Sequence, residues 1–184
     1  MSNWRPDFDP AHLYFVTTTA VQRAHIFQRD VIKRILVDGL YHLHVVDQTE
    51  LYAFVIMPNH VHFIVRCQED NPLKDVVRDF KANMARLIVW HYQAERNQKV
   101  LDFLSAAVTR PEKQRFKVWE DGYNAKDVFS PDFLSEKMEY IHNNPLQQHW
   151  RLAERAEDYV WSSARFYVLD EPALIPLSDA RELL

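Results

Sequence analysis

The sequence lacks the features of a secreted or membrane protein. It has one cysteine, Cys67, in 184 residues, so it cannot form an internal disulfide bond. No uninterrupted apolar run approaches the roughly 20 residues that a membrane-spanning helix needs. Residues 1–10 contain no apolar stretch of the kind found in a signal peptide. We therefore expect a cytoplasmic protein with no membrane partner.

The sequence also lacks an overall excess of positive charge. Its formal net charge of -4 at pH 7 argues against a general nucleic-acid binder. The charge is unevenly distributed, because residues 71–119 hold 10 Lys and Arg against 5 Asp and Glu, whereas residues 120–184 hold 6 against 13. The basic middle suits a local anionic partner. A solvated helical face with surplus lysine is the alternative interpretation.

The spacing of apolar residues predicts one α+β domain over residues 1–184, with 47% hydrophobic residues to build its core. The elements follow the order strand 12–20, helix 29–45, strands 50–57 and 60–67, helix 72–95 and strand 116–119. That order is the ferredoxin-like pattern, an antiparallel sheet with helices packed on it. A short helix at 101–108 and a basic loop at 110–117 precede the last strand. The core covers about 12–145, and residues 146–184 form an extension.

A further helix is predicted between Ser130 and Pro145. Ser130 suits the N-cap position, and the residue before Pro145 avoids helical geometry. Tyr140 and Asn144 are i, i+4 neighbours and therefore share one face of this helix, with Lys137 one turn before Tyr140.

Two histidines one residue apart, His60 and His62, open the third predicted strand. Side chains two apart on a strand point to the same face, so both imidazoles can bind one metal ion. Divalent metals that activate phosphate esters favour imidazole and oxygen ligands with open positions for substrate, and Asn144 offers an amide oxygen. Tyr140 is then a candidate nucleophile, and Lys137 is a group that could stabilise its phenolate.

Each of these residues also has a structural interpretation. Paired histidines on a strand are more often hydrogen-bonded than metal-bound, a helical tyrosine is usually a core residue, and an asparagine before a proline can simply end a helix. His142 lies off the face of Tyr140 and Asn144. We interpret it as structural or as a charge at the helix C-terminus.

The wider sequence resembles a known family. Five segments carry the resemblance: 53–62 (AFVIMPNHVH), 78–81 (RDFK), 118–123 (VWEDGY), 137–145 (KMEYIHNNP) and 159–164 (YVWSSA). They are similar, in the same order, to the blocks of the REP-associated tyrosine transposases. This family is part of a wider group of single-tyrosine transposases and nucleases, which is named for a His-hydrophobe-His (HUH) motif.

The resemblance implies a mechanism and a partner. His60 and His62 match the family's metal-binding pair, and Asn144 matches its third ligand. Tyr140 matches the tyrosine that attacks DNA, forming a 5′-phosphotyrosine link and freeing a 3′-hydroxyl. The family uses Mg²⁺ or Mn²⁺ and acts on single-stranded DNA near palindromic repeats that fold into hairpins. We therefore expect a transposase and endonuclease that works as a monomer or a homodimer.

The basic middle of the chain gains a use under this interpretation. Eight side chains on and after the second helix are candidates for phosphate contacts: Lys74, Arg78, Lys81, Arg86, Arg110, Lys113, Arg115 and Lys117. Trp4, Trp119 and Tyr123 are candidates for base stacking, with core packing as the alternative. Residues 97–114 and the segment after Pro145 depart from the family, so the resemblance constrains DNA recognition less than it constrains the chemistry.

Three functions remain open at this point. The first is a metal-dependent tyrosine transposase. The second is a non-catalytic module that binds single-stranded nucleic acid on the same fold. The third is a hydrolytic metalloenzyme in which water attacks and Tyr140 only packs. The intact tyrosine and histidines favour the first.

Overall fold

A computed structural model describes residues 7–184. Its elements are β1 Leu13–Thr19, α1 Asp30–Val45, β2 Glu50–Ile56, β3 His60–Arg66, α2 Leu73–Ala94, α3 Gln98–Ala106, β4 Asn124–Val128, α4 Pro131–Asn143 and α5 Ala164–Leu169. The four strands form one antiparallel sheet in the order β2-β3-β1-β4. Within this described range, no helix combines the length and the apolar character needed to cross a membrane.

The sheet separates two apolar cores because successive side chains of a strand point to opposite faces. In β3, Val61 and Phe63 face the core that contains α1 and α2. Ile64 faces the second core, where α4 packs. His60 and His62 have the same parity as Ile64, so their side chains lie on the α4 side of the sheet.

Helix α4 is held in place by a cap and an apolar stripe. The Ser130 hydroxyl oxygen accepts a hydrogen bond from the backbone N–H of Phe133 at 3.2 Å, as the predicted N-cap requires. The stripe buried against the sheet follows i, i+4, i+7 spacing and consists of Leu134, Met138 and Ile141. After Asn143 the chain tightens into the 3₁₀ turn Asn144–Leu146, which contains Pro145.

The predicted α+β class and ferredoxin-like order are confirmed, but the strand predicted at 116–119 is wrong. Val118 and Trp119 are buried, yet Trp119 forms only an isolated bridge with Ala20. The fourth strand is Asn124–Val128, whose sequence NAKDV buries only Ala125 and Val128. This edge strand has a low apolar content, which is why apolar patterning misses it.

The segment after α4 covers the outer edge of β2. Backbone hydrogen bonds run from Ile56 N to Trp161 O, from Ser163 N to Phe54 O and from Ser178 N to Leu51 O, each at 2.9 Å. An uncovered edge strand would offer these groups to another chain. The extension predicted at 146–184 is therefore packed against the sheet.

Candidate active site

A cleft of ≈ 730 Å³ opens on the α4 side of the sheet. Three strands, α4 and the turn after it line the cleft, with side chains that include Thr17, His60, His62, Lys126, Lys137, Tyr140 and Asn144. The histidine pair, the tyrosine and the asparagine selected from the sequence therefore share one cavity. Their chemical roles are taken up under the proposed function.

The ring of His62 is oriented by the neighbouring strand. Strand pairing sets Thr17 opposite His62, and the Thr17 hydroxyl oxygen lies 2.8 Å from His62 Nδ1. When Nδ1 carries the ring proton and donates it to Thr17, Nε2 keeps its lone pair. The ring centroids of His60 and His62 are 4.6 Å apart, so the two imidazoles are close enough to serve one ion.

The tautomer of His60 follows from a hydrogen-bond chain. The Asn59 amide nitrogen donates to the backbone carbonyl of Arg23 at 3.0 Å, which turns the Asn59 carbonyl oxygen toward His60. That oxygen lies 2.6 Å from His60 Nδ1. A carbonyl oxygen can only accept, so His60 Nδ1 carries the proton and Nε2 again keeps its lone pair.

Both histidines are neutral at physiological pH. The pKa of His60 is lowered to about 4, mainly by burial; the Asn144 side chain acts in the opposite direction, and the charges of Arg23 and His149 contribute to the lowering. Burial, reinforced by the charge of His60, holds the pKa of His62 well below its usual value. A neutral imidazole is the form that binds metal ions.

The residues present fit a divalent cation. His62 Nε2 and Asn144 Oδ1 are both buried and find no hydrogen-bond partner among the described residues. Buried polar atoms are normally satisfied, so two such atoms in one cleft point to a missing partner. No cluster of three His, Cys, Asp or Glu side chains is present within residues 7–184. The Asn144 amide oxygen lies in the same cleft as the two histidines and is of a type that binds divalent cations.

Tyr140 stands at the mouth of the cleft with its side chain 43% exposed. Its ring meets His62 edge-on, with centroids 5.2 Å apart, and it meets Phe15 at 5.9 Å. Lys137 is buried beneath it, 6.0 Å from the Tyr140 ring centroid and 4.6 Å from that of Phe133. Lys137 also pairs with the exposed Glu136, so a cation lies near the phenol as the shared helix face predicts.

Within residues 7–184, the eight basic side chains expected to contact phosphate lie outside this cleft. Lys74, Arg78 and Lys81 line a separate cavity of ≈ 400 Å³ beside α2, on the other side of the sheet. Arg78 is paired with Asp75 and Asp79. The remaining exposed members of the set are Arg86, Arg110, Lys113 and Arg115.

Lys81 and Lys117 each have partners within the protein, and their contact with phosphates stays a prediction. The Lys81 ammonium donates to the backbone carbonyls of Glu120, at 2.9 Å, and of Gly122. It therefore ties α2 to the loop before β4. Lys117 is 6% exposed and pairs with Asp121 at 2.9 Å.

The three aromatic residues considered for base stacking differ in their surroundings. Trp119 is a core residue, because its ring packs on Phe27 and Phe80 and its indole nitrogen donates to the Lys81 carbonyl at 2.9 Å. Tyr123 lines the cavity beside α2. Trp4 lies outside the described residues.

His142 has the structural role that was one of its two interpretations. It is buried, and its Nε2 lies 2.9 Å from the hydroxyl oxygen of Ser163. Burial lowers the pKa of His142 to about 4. The ring is therefore neutral and does not supply a charge at the helix end.

Sequence reasoning missed several residues that line the cleft. Lys126 lies opposite Phe15 on β4, and it escaped notice with the strand that carries it. Trp150 follows Pro145 in the segment that departs from the family, and its ring centroid lies 6.0 Å from that of His60. Arg23 comes from the 3₁₀ turn Val21–Arg23 after β1. No local sequence signal marks Arg23.

In the described residues, a four-stranded ferredoxin-like sheet carries paired histidines that line one cleft with Tyr140 of α4. The family model described as "Transposase IS200 like" matches residues 10–144. The chain belongs to the IS200-like transposase family. This match confirms the family-level resemblance seen in the sequence.

One solved structure shares the fold at low sequence identity. A REP-associated tyrosine transposase bound to a REP hairpin aligns with a TM-score of 0.61 at 16% identity, over 97% of this chain and 93% of that chain. A putative transposase from Deinococcus radiodurans R1 aligns with a TM-score of 0.47 at 20% identity, over 78% of this chain and 97% of that chain. No curated protein sequence matches the chain.

Proposed function

We propose that this transposase nicks and rejoins single-stranded DNA beside hairpin-forming repeats, with Tyr140 as the nucleophile. The observation that carries the proposal is the convergence of Tyr140 with His62 Nε2 and Asn144 Oδ1. Both of these atoms are buried without a hydrogen-bond partner among the described residues. An unsatisfied pair of ligand atoms beside an exposed phenol is suited to binding and attacking a phosphodiester.

The proposed reaction is a transesterification. The Tyr140 oxygen bonds to phosphorus, the bond from phosphorus to the 3′-oxygen breaks, and the released 3′-oxygen takes up a proton while the phenol loses one. The 5′-phosphotyrosine ester keeps the energy of the phosphodiester, so attack by another 3′-hydroxyl can reverse the step without an external energy source. Lys137 stabilises the phenolate form of Tyr140 through its charge.

His60, His62 and Asn144 would hold the divalent cation, Mg²⁺ or Mn²⁺. When bound, such an ion neutralises charge on the phosphoryl oxygens and orients the phosphodiester. Thr17 and Asn59 fix the rings of the two histidines, since each contacts an Nδ1 atom and leaves Nε2 toward the cleft.

The proposed partner is single-stranded DNA that carries a hairpin, and the solved structure of a REP-associated transposase with a REP hairpin supports this choice. We propose that the exposed basic residues outside the cleft, among the eight predicted, contact phosphates of the hairpin. Such contacts release counterions, so binding should weaken as salt rises. The protein would act as a monomer or a homodimer.

One assay tests the proposal. Hairpin-bearing single-stranded DNA is incubated with the protein and Mg²⁺ or Mn²⁺, and a denaturing gel is examined for a covalent protein–DNA adduct. Tyr140→Phe should abolish the adduct. Tyr41→Phe is the matched control, because Tyr41 is also 43% exposed but lies on α1. His60→Ala should abolish cleavage while sparing part of the DNA binding.

The alternatives predict other results. A non-catalytic binding module would retain DNA without nicking it. A hydrolytic metalloenzyme would cut in the Tyr140→Phe variant and form no adduct. Activity that survives both His60→Ala and a chelator would remove the metal from the mechanism.

A further inference from the structure

Two consecutive residues, of which the second lines the cleft, have left-handed backbone conformations without being glycine. Gln22 has φ 53° and Arg23 has φ 52°. Such conformations are costly for residues with a Cβ, and they persist only where the surrounding structure imposes them. They are also concentrated at functional sites, so the turn at Gln22 and Arg23 calls for a functional explanation.

Hydrogen bonds from three directions impose this conformation. The Gln22 backbone N–H donates to the Glu120 carboxylate at 2.6 Å. The Arg23 N–H donates to the Ala20 carbonyl at 2.9 Å. The Arg23 carbonyl in turn accepts from the Asn59 amide at 3.0 Å, and the same Asn59 side chain contacts His60. The position of Arg23 is therefore coupled to the orientation of His60.

The turn sends the Arg23 side chain into the cleft that holds His60 and Tyr140. Lys126 and Lys137 are the other lysine and arginine side chains that line this cleft within the described range. Lys137 is buried among aromatic rings and pairs with Glu136. Arg23 is exposed. A guanidinium presents a planar set of donors that matches two oxygens of one phosphate.

We propose that Arg23 contacts the non-bridging oxygens of the phosphate that Tyr140 attacks, and that the left-handed turn positions its guanidinium before DNA binds. This inference rests on the proposed tyrosine chemistry and adds to it a residue that stabilises the charge developing on phosphorus. A donor fixed in advance at the site of developing charge accelerates the reaction more than it tightens binding.

Side-chain variants test the contact. Arg23→Gln should slow single-turnover adduct formation by about 100-fold, the loss typical of removing one fixed donor to a developing oxyanion. Arg23→Lys should recover part of the rate, because it restores the charge without the paired donors. DNA binding, measured in the Tyr140→Phe background, should change far less than the rate. Arg96→Gln is the matched control, since Arg96 is also exposed and left-handed (φ 56°) but follows α2.

A modified substrate separates contact from folding. Replacing one non-bridging oxygen of the scissile phosphate with a methyl group removes the charge that Arg23 would meet. The rate penalty of Arg23→Gln should then shrink to a few-fold, as coupled partners in a double-mutant cycle do. A purely structural role for Arg23 would leave the same penalty on both substrates, and that result would overturn the proposal.

Backbone variants test the preset turn. Gln22→Gly relieves one strained residue, so it should raise the melting temperature but slow adduct formation by loosening the turn. Gln48→Gly is the control, because Gln48 has φ 53° between α1 and β2; it should raise the melting temperature and leave the rate unchanged. Unchanged rates in both variants would overturn the role of the turn.

The outcomes for Arg23 and for the proposed function are distinguishable. If the wild-type protein forms the adduct and Arg23→Gln forms it equally fast, only the Arg23 proposal is wrong. If the wild-type protein forms no adduct with any hairpin DNA and either ion, the tyrosine chemistry is wrong and the Arg23 proposal is wrong with it.

Discussion

His62 Nδ1 and the Thr17 hydroxyl oxygen lie 2.8 Å apart across two neighbouring strands. This contact aims Nε2 of His62 at the cleft, where a cation would bind. Thr17→Val removes the hydroxyl at nearly constant volume. We predict that the variant loses about 10- to 100-fold in Mn²⁺ affinity or in cleavage rate, as loss of a hydrogen bond behind a metal-ligating histidine typically does. Titration of Mn²⁺ against the rate of adduct formation measures the change.

Thr18→Val supplies the control from the adjacent position. Thr18 is fully buried on the opposite face of β1, and its hydroxyl finds no hydrogen-bond partner among the described residues. Removing an unsatisfied buried hydroxyl is neutral or stabilising. The variant should therefore keep full activity and an equal or higher melting temperature. Equal losses of Mn²⁺ affinity or cleavage rate in Thr17→Val and Thr18→Val would mean that both result from a disturbed strand and not from the loss of the hydrogen bond to His62.

Loss of the N-cap of α4 should lower the stability of the protein through the helix that carries Tyr140. Ser130→Ala leaves the Phe133 N–H without its side-chain acceptor, and loss of such a cap costs about 0.5–2 kcal/mol. Urea unfolding measures the loss. Ser135→Ala, an exposed change on the same helix, should be neutral or slightly stabilising because alanine is the better helix former. A larger loss of stability for Ser135→Ala than for Ser130→Ala would contradict the role of Ser130 as the N-cap.

Because Cys67 is buried, the stability of the protein should depend on pH in the alkaline range. Burial raises the pKa of the Cys67 thiol from 9.0 to about 12. Between these values the unfolded chain releases a proton that the folded chain keeps, so rising pH favours unfolding. The stabilisation is complete below pH 9 and is lost as pH rises toward 12.

Urea unfolding at pH 8 and pH 10.5 should show a larger drop for the wild-type protein than for Cys67→Val, by at most about 1.4 kcal/mol per pH unit. At pH 8 the native thiol, 1% exposed, should resist iodoacetamide until the protein is unfolded. Rapid alkylation of the native protein would show that the thiol is accessible.

We predict that Trp150 contributes to DNA binding. Its ring lies against three imidazoles, those of His60, His25 and His149. It also forms the wall between the cleft and a second cavity of ≈ 570 Å³. If a DNA base stacks there, Trp150→Ala should weaken binding of single-stranded DNA by about 1–3 kcal/mol, and Trp150→Phe should retain most of it.

Fluorescence anisotropy in the Tyr140→Phe background measures this binding without cleavage. Trp90→Ala is the matched control, since Trp90 is 66% exposed on α2, away from the cleft. Equal affinities for the Trp150→Ala and Trp90→Ala variants would rule out base stacking at Trp150.

Continuous apolar patterns made much of the fold predictable. The bounds of α1, α2, β2 and β3 differ from prediction by one residue at most, because each has an unbroken apolar period. Helix α3 begins three residues earlier than predicted, at Gln98, because the Asn97 side chain caps it by accepting from Val100 N. Strand β4 could not be found by period, since pairing with β1 and not its own apolar content defines it.

The same distinction, between local patterns and contacts made by distant parts of the chain, applies to the candidate active site. Two-residue spacing on a strand and four-residue spacing on a helix are local, and they predicted that His60 pairs with His62 and Tyr140 with Asn144. The meeting of these two pairs depends on the packing of α4 against the sheet. The family resemblance implied this packing, but local spacing does not predict it. Arg23 could not be predicted, because its placement depends on a left-handed turn held by Glu120 and Asn59.

The cleft is built from two stretches of chain separated by more than sixty residues, 15–62 and 124–150. During synthesis the sheet strands β1 to β3 emerge early, whereas Tyr140 emerges late, and the segment that covers β2 follows it. A ribosome-bound or truncated fragment that ends before α4 therefore carries the histidines without the nucleophile. Under the proposed function, DNA near the site of synthesis is protected from cutting until α4 has been made.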